Sequence, residues 1–129
     1  MSKVALVVDD SMLIRYSLCR YLEAHGFTVE SATNGGEAVE VMLRVQPDLI
    51  VTDMRMPKMS GTEFITVLKS KSETAQIPVI VVTSKAKGFG EPDARADFVI
   101  YKDIDVDTQL DAALEVVMEN KSRGHGAGD

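Results

Sequence analysis

Apolar residues fall in short unbroken runs along the chain, and each run is followed by a segment with helical spacing. The runs Val4–Val8, Leu49–Thr52, Val79–Val82 and Phe98–Tyr101 read as strands buried on both faces, because a strand with one wet face alternates instead. A further short strand is expected from Phe27 to Ala32. Ile14, Leu18, Tyr21 and Leu22 form the stripe of a first helix that starts near Ser11, a good N-cap, and stops at Gly26. Asn34 is placed to cap a second helix, in which Ala38, Val41, Met42 and Val45 fill one face until Pro47 ends it. A third runs from Ser60 to Lys69 with Phe64, Ile65 and Leu68 inward. The last begins after Asp105 or Asp107, with Val106, Leu110, Ala113, Leu114 and Val117 as its stripe. Strands alternating with helices predict an α/β fold built on a parallel sheet, with helices on both faces.

The segment Lys85–Arg95 breaks the rhythm. Gly88, Gly90 and Pro92 disfavour a helix there by about 1 kcal/mol for each glycine and about 3 for an interior proline. A loop is expected, with one short turn near Pro92 to Arg95, so that the fourth crossover helix is short or missing.

At 129 residues the chain makes one ordinary domain. Residues 1–119 are expected to form it. Residues 120–129 hold three glycines and little to bury, and read as a flexible tail. Fourteen basic against twenty acidic residues give a net charge of −6, which opposes nonspecific binding to nucleic acid. No apolar run approaches a membrane span, and the start becomes charged too soon for a signal peptide. Cys19 is alone, which excludes an intrachain disulfide; a cytoplasmic location is expected.

The candidate chemistry lies where the apolar runs stop. Asp9 and Asp10 follow the first, Asp53 the second, Thr83 the third and Lys102 the last. Ligands of open parallel sheets bind outside the carboxyl ends of the strands, so these five residues converge. Unpaired carboxylates about 4 Å apart repel by about 4 kcal/mol at an effective dielectric constant of about 20. They must protonate or share a cation. Oxygen ligands with room for water suit Mg²⁺, while the lack of His or Cys at metal spacing argues against zinc. Taken singly, adjacent aspartates also start helices, and a threonine or a lysine at a strand end is often mere surface. Their joint placement favours a site for a cation and a phosphoryl group.

Three stretches carry a family resemblance. They are Val7-Val8-Asp9-Asp10-Ser11 with Arg15 four residues on, Asp53-Met54-Arg55-Met56-Pro57-Lys58-Met59-Ser60-Gly61 in the pattern D-x-x-M-P-x-M-x-G, and Thr83-Ser84 with Lys102. Over about residues 3 to 119 the chain resembles the receiver domain of bacterial two-component response regulators, of the type seen in the chemotaxis regulator. The resemblance implies five parallel strands in the flavodoxin-like order 2-1-3-4-5. It implies that Asp53 accepts a phosphoryl group from a phosphohistidine on a histidine kinase or phosphotransfer protein. Asp10 and Asp53 would bind Mg²⁺ directly, Asp9 directly or through water, and the backbone carbonyl of Arg55 would complete the set. Thr83 and Lys102 would hold the phosphoryl oxygens. Thr83 would then be drawn inward, and the signal would pass by contact with a downstream protein target, with no nucleic acid and no membrane. Such a phosphoacceptor assists its own phosphorylation and dephosphorylation without being an enzyme for a separate substrate.

The chain departs from that pattern in two further places. Asp103 follows Lys102 where the family usually has proline, and Val99 stands where an aromatic residue is frequent. Tyr101 and Phe98 flank Val99 and are expected, by strand alternation, to point differently. Arg55, Lys58, Lys85 and Lys87 surround the site in its loops, either to receive a phosphorylated donor and hinder water or as ordinary solvated charges. A pseudo-receiver that docks without phosphorylation is the alternative function. An aspartyl phosphatase of the haloacid dehalogenase type would carry D-x-D after its first strand, and a flavin protein a Ser/Thr/Gly-rich phosphate loop; neither is present.

Overall fold

The computed structural model describes residues 3–84 and 93–127, with side chains through residue 118. In chain order the elements are β1 (Lys3–Val8), α1 (Met12–Ala24), β2 (Phe27–Ala32), α2 (Gly35–Val41), β3 (Leu49–Asp53), α3 (Gly61–Lys69), α4 (Ser72–Ala75), β4 (Val79–Thr83), β5 (Phe98–Tyr101) and α5 (Val106–Ala127). All five strands pair in parallel in the order β2-β1-β3-β4-β5. This is the flavodoxin-like arrangement expected above.

The apolar runs bury both faces of the sheet. Ala5, Val7, Leu49, Val51, Ile80, Val82 and Ile100 face α1 and α5, where Leu18, Leu22, Leu110, Ala113 and Val117 complete one core. Their alternates Leu6, Val8, Ile50, Val79 and Val81 face α2 and α3, meeting Ala38, Val41, Phe64, Ile65 and Leu68. Because side chains alternate along a strand, one residue of slip would exchange the two cores. The register is correspondingly well specified, and the register fixes the site.

Caps set the helix ends. Ser11 accepts from the Ile14 N–H at 3.3 Å, and Gly26, at φ +91°, turns the chain out of α1. Ser60 and Glu63 form a reciprocal capping box at α3. Asp105 opens α5 by accepting from Thr108.

Some expectations are corrected. The period-3.6 stripe carries α2 to Pro47, but the regular helix ends at Val41. Beyond it Leu43 and Arg44 donate to carbonyls three residues back, at 3.1 Å each, so the last turn tightens and only partly buries Met42 and Val45. One helical turn, α4, has no apolar stripe to announce it. Phe98 packs with Ile100 on the α1/α5 side, but Tyr101 lies two residues from Val99 and shares its face. Tyr101 is the register partner of Thr83, so an aromatic residue does lie alongside the hydroxyl residue.

Residues 85–92, with Lys85, Lys87 and most of the expected loop, lie outside the described residues. At the end of that connection Ala94 and Arg95 form a turn. Arg95 pairs with Asp93 at 2.7 Å and reaches α3, donating to the Thr66 hydroxyl at 3.0 Å and the Thr62 carbonyl at 3.3 Å. The connection is thereby tied to the helix that follows Asp53. No helix among the described residues is long and apolar enough to cross a membrane.

Candidate functional site

The register assembles the site. Val8 pairs with Thr52, which brings Asp9 beside Asp53. Asp53 pairs with Val82, one residue before Thr83, and Thr83 pairs with Tyr101, one before Lys102. Asp53 and Thr83 are the last residues of β3 and β4. All five residues selected from the sequence therefore meet at the carboxyl edge.

Asp9 is fully buried and Asp53 5% exposed, while Asp10 lies open to solvent. Carboxylate oxygens of the three lie within 4.8 Å of one another. The Lys102 ammonium stands 3.4 Å from Asp9 Oδ2 and 3.2 Å from Asp53 Oδ2. It does so with Asp103 behind it, whose carboxylate accepts from the Ser84 hydroxyl at 3.1 Å. Thr83 is half-buried, and its carbonyl accepts from the Lys102 N–H at 2.8 Å.

Backbone groups hold the other oxygens. The Ser11 N–H donates to Asp9 Oδ1 at 2.9 Å and the Arg55 N–H to Asp53 Oδ1 at 3.4 Å. Arg15 donates to the Asp9 carbonyl at 2.7 Å, clamping the strand end from α1; its place in the opening motif hints at this role without specifying it. Past Asp53 the loop closes a tight turn, Met59 N–H to the Pro57 carbonyl at 2.7 Å, with Lys58 at φ +70°. The chain then returns so closely that a Cβ on Gly61 would lie 2.4 Å from the Asp53 carbonyl oxygen. Of the basic cluster, Arg55 and Lys58 are exposed; Lys85 and Lys87 lie outside the described residues.

Burial, and secondly the neighbouring Asp9 charge, push the Asp53 carboxyl from 3.8 up to about 6 against the opposing pull of Lys102. Burial likewise raises Asp9, although the Ser11 amide and Lys102 oppose it. Three ionised carboxylates and one ammonium leave two negative charges, which one divalent cation cancels. Among the described residues, Asp9 Oδ2 is the one buried side-chain oxygen or nitrogen atom that lacks a hydrogen bond. An all-oxygen set in which the buried Asp9 Oδ2 has the Lys102 ammonium at 3.4 Å but no hydrogen bond fits a hard cation such as Mg²⁺.

The raised carboxylate predicts a pH dependence. The folded state holds its Asp53 proton more tightly than the unfolded chain, so this group's contribution is complete below about 4 and is lost as pH rises through about 6. In EDTA, urea-unfolding free energy should fall across that window. A divalent cation held by these oxygens would favour the ionised form, so millimolar Mg²⁺ is expected to reverse the slope. The half-buried Asp93 and the exposed Asp105, lowered by hydrogen bonds from Arg95 and Thr108, act in the opposite sense and below about 4. A flat profile in EDTA would show that Asp53 is not perturbed.

Residues 5–115 match the response regulator receiver domain, and the chain belongs to that family. It is 37% identical over 109 residues to Protein PilH of Pseudomonas aeruginosa, covering 81% of this chain and 89% of that protein. Response regulator MprA of Mycolicibacterium vanbaalenii is 32% identical over 96% of this chain, which spans only 54% of that longer protein. The chemotaxis response regulator CheY4 of Vibrio cholerae superposes with a TM-score of 0.79 at 28% identity, over 90% of this chain and 99% of that one. The receiver domain of sensor histidine kinase PA1611 from Pseudomonas aeruginosa, solved with a magnesium ion coordinated in its active-site cleft, shares the fold at 18% identity. Its TM-score is 0.78, over 91% of this chain and 98% of its own.

Proposed function

We propose that this receiver domain takes a phosphoryl group on Asp53 from a phosphohistidine of a histidine kinase or phosphotransfer protein, and that Asp9, Asp10, Asp53 and the Arg55 carbonyl hold Mg²⁺ for that step. The carrying observation is the Lys102 ammonium within ion-pair distance of both Asp9 and Asp53, beside a third carboxylate. The bound magnesium of the PA1611 receiver domain supports the choice of metal by likeness of fold.

A carboxylate oxygen of Asp53 attacks phosphorus, the phosphorus–nitrogen bond breaks, and its electron pair stays on the departing imidazole. Phosphoryl transfer of this kind needs positioning and charge neutralisation more than bonding from the protein. Mg²⁺, when bound, neutralises charge on the phosphoryl oxygens. The Arg55 N–H on Oδ1 orients the Asp53 carboxylate. Lys102, already facing Oδ2, is placed to follow the charge onto a phosphoryl oxygen, and Thr83 supplies a hydroxyl donor from the neighbouring strand. Movement of Thr83 toward the new acceptor then biases the adjoining surface, and a downstream protein reads it by contact. The domain serves as its own phosphoacceptor and turns over no separate substrate. A cytoplasmic location accords with its single cysteine.

Mass spectrometry after incubation with a small acyl phosphate and Mg²⁺ tests this. One added phosphoryl group should appear on Asp53, and should be missing in Asp53→Asn and in EDTA. If the folded wild-type chain takes up none, the domain is a docking module that works without phosphorylation.

A further inference from the structure

β5 is an edge strand, and an edge strand presents backbone groups that no neighbouring strand can satisfy. At Tyr101, its last residue, one side chain takes the place of that neighbour. The Tyr101 N–H donates to Gln109 Oε1 at 2.9 Å, and Gln109 Nε2 donates back to the Tyr101 carbonyl at 2.9 Å. The same Nε2 reaches the Asp105 carbonyl at 3.2 Å, which ties the clasp to the start of α5. A carboxamide offers one acceptor and two donors, and this one uses both kinds.

The peptide unit joining Tyr101 to Lys102 is therefore held from both sides. Its carbonyl is bound by Gln109, and its N–H by the Thr83 carbonyl at 2.8 Å. The Lys102 side chain departs from that unit to reach Asp9 and Asp53. Residue 103 is aspartate, so no following proline restricts the Lys102 backbone. A lysine is a point charge on a flexible four-carbon stem, and where its ammonium rests depends on where its Cα starts.

We propose that Gln109 is the positioning residue of the site: its two-point clasp on the Tyr101 backbone fixes the origin of Lys102 and so aims the ammonium between the two buried carboxylates. As far as it concerns phosphoryl transfer the proposal rests on Asp53 being the acceptor; as far as it concerns Lys102 it does not. Gln109 touches none of the reacting atoms and acts through its neighbour.

Two variants test this. Gln109→Met keeps length and helix propensity and removes every hydrogen bond. Gln109→Glu keeps the acceptor for the Tyr101 N–H but turns an oxygen toward the Tyr101 carbonyl. Each is made alone and with Lys102→Ala, and its folding is checked by circular-dichroism melting. The first readout needs no phosphodonor. In wild type the Lys102 Cε–Nζ NMR correlation, assigned by its loss in Lys102→Arg, should stand apart from those of the exposed lysines; in Gln109→Met it should move toward them. The second is the initial rate of Asp53 phosphorylation by acetyl phosphate with Mg²⁺. It should fall roughly tenfold to a hundredfold in Gln109→Met, the scale of a misplacement near 1 Å. It should fall no further when Gln109→Met is added to Lys102→Ala. An unmoved Lys102 resonance in folded Gln109→Met, or an equal fold-loss with Lys102 already removed, overturns the proposal. If wild type takes up no phosphoryl group, the proposed function fails and the resonance alone decides the clasp. If Gln109→Met does not fold, Gln109→Glu carries the same two readouts.

Discussion

Asp53→Asn is expected to stabilise the protein in EDTA at pH 8, by an amount on the order of 2–3 kcal/mol. Asp53 is almost wholly buried and shares its strand edge with the fully buried Asp9. Its carboxyl is pushed up to about 6 by burial first and by Asp9 second, so at pH 8 the fold carries a charge it disfavours. Asparagine keeps the shape and removes the charge. Lys102 loses one of two partners but retains Asp9. Urea unfolding should show a higher midpoint at unchanged slope, which signals stability rather than altered compactness. The gain should vanish near pH 4, where wild-type Asp53 is protonated. It should shrink in millimolar Mg²⁺, which favours the ionised wild type. A lower midpoint in EDTA would mean that the pull of Lys102 outweighs burial and repulsion together.

Lys102→Ala is expected to act in the opposite direction and more strongly. Among the described residues its ammonium is the cation within ion-pair distance of Asp9 and Asp53. Breaking a buried pair by removing one partner typically costs about 3–5 kcal/mol, because the remaining charge is left uncompensated. Here two carboxylates would lose their partner together. If Mg²⁺ is held as proposed, the loss in EDTA should be largely recovered by millimolar Mg²⁺, and in any case by lowering the pH toward 4. Calorimetric titration should then show tighter Mg²⁺ binding than in wild type, since no ammonium competes for the same oxygens. Equal stability of variant and wild type in EDTA would show that solvent, through the exposed Asp10 side, screens the carboxylates without help from Lys102.

The sheet and the site residues are legible in the sequence for a physical reason. A parallel strand covered on both faces needs an unbroken apolar run, and the first polar residue after it lies at the sheet edge where ligands bind. Asp9, Asp53, Thr83 and Lys102 are found by this alone. The early end of α2 is not legible, because Met42 and Val45 fit the helical period whether the last turn is regular or tightened. Gln109 is invisible for another reason. Among Asp107, Thr108 and Gln109 it looks like one more polar residue on the wet side of a helix, and only the edge position of β5 gives its amide something to hold. The face of Tyr101 is legible from its two-residue spacing to Val99.

Gly61 gives the strand end and the start of α3 a common bearing surface, with no gap for even one carbon atom beside the Asp53 carbonyl. A joint without clearance has no backlash. Whatever displacement the main chain makes when the acid changes its chemical state is handed on to Phe64 and Ile65 in the first turns of the helix. That route runs through covalent backbone and hard contact, and it reaches the α2/α3 half of the core without relying on any mobile side chain.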